Sequence, residues 1–147
     1  MISRILIPTD FSAASWQATK IGLEIGKVNN ADVSILHIFP LVSKFSSDKK
    51  ELELPVKLEQ LKSKMDILSS DFNEDAKKIT NVVLPGNVEH TMLKFIREHD
   101  FDLVIIGINS HGETNEMGSH TVSIIERSGT PVLIVPNNKH SNGAIAS

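Results

Sequence analysis

At 147 residues the chain has the length of one ordinary domain. Its net charge is −3, and its lysines are interleaved with carboxylates, so it lacks the concentrated basic face that displaces counterions from nucleic acid. The absence of cysteine excludes disulfides, thiolate nucleophiles and cysteine-based metal sites, and no run nears the ~20 apolar residues of a membrane span.

The first element is Ile2 to Pro8, ISRILIP, a short β-branched run of the kind found in strands buried on both faces. A helix follows. Ala14, Ala18, Ile21, Ile25 and Val28 recur at alternating spacings of four and three, with Ser12 as N-cap and Asn29-Asn30 as the stop. Asp32 to Phe39, DVSILHIF, is the second strand. Pro40 to Glu53 reads as a polar connection. Leu54, Leu58, Leu61, Met65, Leu68 and Phe72 mark a second helix. Ile79 to Leu84 is the third strand, and the turn Pro85-Gly86-Asn87 leads into a helix carrying Val88, Met92, Leu93 and Ile96. Asp102 to Gly107, DLVIIG, is the fourth strand. A polar loop, GINSHGETNEMGS, runs from Gly107 to Ser119. The last helix is expected to begin near Ser119 and to use Val122, Ile124 and Ile125, before a fifth strand at Pro131 to Pro136.

Alternating strands and helices predict a single α/β domain over residues 1–136. The expected form is a Rossmann-like, doubly wound, open parallel sheet of five strands in the order 3-2-1-4-5, with helices on both faces. Residues 137–147, NNKHSNGAIAS, are expected to be a fraying tail. MISRILIPTD lacks the apolar stretch of a leader, so a cytoplasmic protein without membrane or nucleic-acid partners is expected.

Sheets of this kind bind ligands beyond the carboxyl ends of their strands, where the strand order reverses. Here that is the crevice between Pro8-Thr9-Asp10-Phe11 and the loop that begins at Gly107. Asp10 can cap the first helix, contact a ribose or an adenine amino group, or do both. Gly107, Gly118, Ser119 and Thr121 suit a phosphate seat. Glycine lets backbone approach an anion, free amides at a helix start favour negative charge, and the hydroxyls add donors. Neither GxxxxGK[ST] nor GxGxxG after the first strand is present. None of the histidines has a partner at metal-ligand spacing, so no metal site is expected. His37, inside the second strand, reads as a satisfied core or rim residue. GxSxG is missing, and no catalytic constellation emerges.

Four segments resemble the universal stress protein family: ILIPTDFS (Ile5 to Ser12), DVSILHIF, LPGNVEHTMLKFIREHDFDLVIIG (Leu84 to Gly107) and GSHTVSIIERSGTPVLIVP (Gly118 to Pro136). They span nearly the whole chain in the family's order. The resemblance implies a stress-response nucleotide-binding sensor or signalling module, holding ATP or AMP and, with ATP, magnesium. It implies a homodimer paired through Pro131 to Pro136. It places the nucleotide against Pro8, Thr9, Asp10 and Ile38 on the adenine side, and against Gly118, Ser119, His120 and Thr121 at the phosphates. Family members that bind ATP carry a glycine, two residues, a second glycine, nine residues, a third glycine and then Ser or Thr. Gly107 and Gly118-Ser119 match its ends. Ser110 stands where the second glycine belongs, His111-Gly112 is displaced by two residues, and the loop is two residues short. That departure leaves two alternatives, a dimeric interaction protein that binds no nucleotide and a slow ATP hydrolase.

Overall fold

The computed structural model describes residues 1–41, 48–70, 79–109 and 116–137. In chain order the elements are β1 (Arg4–Pro8), α1 (Ala13–Asn29), β2 (Asp32–Pro40), α2 (Asp48–Ser70), β3 (Ile79–Gly86), α3 (Val88–His99), β4 (Leu103–Asn109), α4 (Glu116–Arg127) and β5 (Val132–Asn137). The strands form one sheet in the order β3-β2-β1-β4-β5, and all four strand pairs are parallel. The expected topology is the observed one.

The sheet carries a core on each face. Toward α1 and α2, Ile5, Ile7, Val33, Ile35 and Ile105 pack with Ala18, Leu23 and Met65. Toward α3 and α4, Leu6, Leu36, Val104 and Ile106 pack with Met92, Phe95, Ile124 and Ile125. Successive residues of β1 and β4 therefore alternate between two apolar environments. This is why those strands read as unbroken apolar runs.

α1 starts and stops as its sequence predicts. The Ser12 side chain accepts from the Ser15 amide, and Asn30 closes the helix at a left-handed φ of 55°. Of the expected stripe Ala14 and Ala18 are buried, Ile21 and Ile25 pack against the core, and only Val28 falls outside. Ala14, Ala18, Gly22 and Gly26 lie at spacings of four and are buried, whereas Val28 is 86% exposed. A Cβ on Gly22 would stand 2.4 Å from Ile7 Cδ1, so the missing side chain lets the helix backbone rest on the sheet. A search for apolar periodicity does not see the two glycines that complete the stripe.

Most strand ends shift by one or two residues, β4 running on to Asn109 where a loop was expected from Gly107, and three further boundaries move. α2 opens at Asp48, so the last part of the segment read as a polar connection is helical, and the helix continues through Pro55. α4 opens at Glu116 rather than near Ser119, because Glu and Met are strong helix formers and one early glycine costs only ~1 kcal/mol against alanine. β5 extends through Asn137, whose Nδ2 donates to Asn109 Oδ1 (3.2 Å), so Asn137 belongs to the sheet and not to a tail. Residues 138–147 lie outside the described residues, as does Phe72.

Candidate functional site

At the sheet's carboxyl edge the two middle strands part. β1 pairs with β4 at Ile5–Leu103 and Leu6–Val104, and their pairing ends there. β1 goes on pairing with β2 as far as Pro8–Leu36, and β4 with β5 as far as Asn109–Asn137. The order of crossovers also reverses at this point, since α1 and α2 cover one face and α3 and α4 the other.

The turn after β1 is held by its own side chains. The Thr9 amide donates to Leu36 O (2.8 Å), carrying the β1–β2 ladder one residue further. The Ser12 amide donates to Asp10 Oδ1 (2.9 Å), and Ser15 Oγ donates to the same oxygen (3.0 Å). Thr9 Oγ1 donates to Ser15 Oγ (3.1 Å) and accepts from the Phe11 amide (3.1 Å). Burial pushes the Asp10 carboxyl up, but the hydrogen bonds from Ser12 and Ser15 outweigh it and hold the group below the usual carboxylate range. Asp10 is therefore an anion that shapes the turn, while the N-cap itself is Ser12.

Phe11 completes the turn at a φ of +65°. A bulky residue in the left-handed region costs about 1–3 kcal/mol and persists only where its surroundings enforce it. Its ring lies 4.6 Å from the His37 ring, and Lys64 Nζ stands 4.4 Å from its centroid. His37 Nδ1 is 2.8 Å from Thr9 O. A carbonyl only accepts, so that nitrogen carries the proton. His37 is thus the satisfied strand residue that its position suggested.

Gly107 has a packing role. A Cβ there would lie 1.9 Å from Ala14 O and 2.9 Å from Ser15 N, so only glycine admits the first turn of α1 against β4. Ser15 links the two halves of the site, with its amide against Gly107 and its hydroxyl on Asp10. Sequence reading passed over Ser15. Its only local signal is that it stands three residues after an N-cap serine.

The remaining expected residues divide. Pro8 is buried at the end of β1, and Thr9 is 7% exposed beside Asp10. Ile38 pairs with Leu84, and its side chain sits in the core beneath α3 and α4. Thr121 is 1% exposed, on the same buried face of α4 as Ile124 and Ile125. The periodicity that marked Ile124 and Ile125 as core also carries Thr121 inward. Gly118, Ser119 and His120 lie in the first turns of α4, where the amides of Glu116, Met117 and Gly118 have no intrahelical acceptor. His111 and Gly112 lie outside the described residues. Among the described residues no group of three His, Asp or Glu could hold a metal ion, and no helix is long and apolar enough to cross a membrane.

A doubly wound sheet with an ionised carboxylate at its switch point defines a class of small α/β proteins that meet ligands at the strand ends. Residues 1–136 match the Universal stress protein family, and the chain belongs to that family. It is 30% identical to the universal stress protein MJ0577 of Methanocaldococcus jannaschii, across 92% of this chain and 95% of that one. The solved structure of MJ0577 superposes with a TM-score of 0.71 at 28% identity, covering 95% of this chain and 99% of the other. A universal stress protein in complex with cAMP shares the fold at a TM-score of 0.64, 20% identity and coverage of 91% and 97%. So does one from Arabidopsis thaliana with AMP bound, at a TM-score of 0.62, 12% identity and coverage of 95% and 94%.

Proposed function

We propose that this universal stress protein is a stress-response module that binds an adenine nucleotide, ATP or AMP, where β1 and β4 part. The observation that carries the reading is the end of the β1–β4 ladder at Leu6–Val104, beside the ionised Asp10. Asp10 accepts from a ribose hydroxyl or the adenine amino group. The first amides of α4, at Gly118 and its neighbours, meet the phosphates with the positive end of the helix dipole. Ser119 and His120 stand in the same turns, and His111 and Gly112, outside the described residues, complete the proposed set. ATP would bring magnesium with it. Two relatives of the same fold, one described in complex with cAMP and one with AMP bound, support a nucleotide as the ligand. The working unit is a homodimer paired through β5, an edge strand that leaves Leu133 and Ile134 37% and 46% exposed.

Gly107 favours a second reading, a dimer that signals without a nucleotide. Its contact with Ala14 explains that glycine with no ligand at all. Calorimetric titration decides between them. ATP and AMP should bind the native chain, and Asp10→Asn should weaken binding about tenfold or more, since a hydrogen bond to a charged group is worth ~1.5–3 kcal/mol. The asparagine oxygen still serves the Ser12 and Ser15 donors, but its NH₂ replaces an acceptor. Absence of binding heat would leave the second reading in place, and equal affinity for the variant would move the nucleotide away from Asp10.

A further inference from the structure

We infer a second ligand site in the cleft between α1 and α2, built for a small amphipathic carboxylate with an apolar body and one anionic head. The cleft arises from how the two helices sit. The small-residue stripe of α1 and the absent side chain of Gly107 draw that helix over β1, β4 and β5, while α2 lies over β3. A gap of about 370 Å³ is left above Ile35. That is the size of a small-molecule site, roughly 300–1,000 Å³.

The chemistry of the walls is selective. Phe11, Trp16, Ile35, Met65 and Leu68 supply an apolar lining that a hydrocarbon body would take out of water. The hydroxyls of Ser12, Thr19 and Ser69 are dispersed along it. Among the described residues Lys64 is the only ionisable side chain that lines it; it is exposed at the rim, with its Nζ over the Phe11 ring. An exposed cation at the rim of an apolar cleft attracts an anionic head over a neutral or cationic one. Phe11, held at its left-handed φ, serves as the platform for that cation. The site lies on the α1–α2 face, away from α4, and so stands apart from the nucleotide reading. Thr9, Ser12 and Ser15 line the cleft and also shape the turn around Asp10, so an occupant here would touch the scaffold of the other site.

Trp16 is the only tryptophan of the chain and lines the cleft, so its fluorescence reports on occupancy directly. Decanoate titrated into the full chain below its micelle threshold should give a saturable change in emission, and neutral 1-decanol should bind about tenfold more weakly. Lys64→Met should reduce decanoate affinity about tenfold and leave that of decanol unchanged, while Lys64→Arg keeps the decanoate response. Leu68→Phe, which adds ring volume inside the cleft, should weaken both ligands. Thermal melts of each variant separate lost binding from lost folding. A non-saturable response, or a folded Lys64→Met that binds decanoate as the native chain does, would overturn the site.

Discussion

At the scale of single residues, Gly107 and Asp10 are two ends of one device. Gly107 admits the first turn of α1, and that turn presents Ser15 to Asp10. Gly107→Ala would set a Cβ 1.9 Å from a main-chain oxygen, where no side-chain rotation relieves the clash. Overpacking typically costs 1–3 kcal/mol, and a collision with backbone belongs at the upper end, so a loss of about 3 kcal/mol in urea unfolding is expected. A variant as stable as the native chain would show that α1 docks differently. Asp10 makes a separate prediction about acid. Its folded pKa is lowered, so the stability it contributes is present above the unfolded value of about 3.9 and is lost as pH falls through the folded value. Asp102, which accepts from the Ser3 and Arg4 amides, is lowered in the same sense. Unfolding midpoints between about pH 4 and pH 2 should therefore fall less steeply for Asp10→Asn than for the native chain. Equal slopes would mean that the turn does not depend on the charge.

At the scale of elements, legibility follows side-chain size and burial. The strands were readable because each contributes to two apolar cores, and α1 was readable at its ends because Ser12 and Asn30 are strong cap residues. Its buried face was legible in Ala14 and Ala18, whereas Gly22 and Gly26, which complete the contact, leave no trace in an apolar periodicity. The candidate site was half legible. Thr9 and Asp10 follow directly from their place after β1. Ile38 and Thr121, which the family resemblance sets beside the nucleotide, have buried side chains, and burial leaves no mark in the motif itself. The element most open to test is β5. The sheet ends on it, and Ile134 is 46% exposed there. Ile134→Lys places a charge on that edge, and charged edges resist strand pairing. Sedimentation should give twice the chain mass for the native protein and the single mass for the variant. A native monomer, or a variant dimer, would move the interface elsewhere.

At the scale of the whole molecule, the crossovers that put α1 and α2 on one face and α3 and α4 on the other force β1 and β4 apart where the chain reverses direction. The opening is thus a consequence of topology, and the turn at Asp10 furnishes it with charge. The most direct test is the pattern of backbone amide shifts in an NMR titration with ATP or AMP. Saturable changes are expected at Thr9 to Ser12, at Gly107 to Asn109 and at the first turn of α4. An unchanged spectrum, or changes gathered elsewhere on the molecule, would contradict nucleotide binding at that opening.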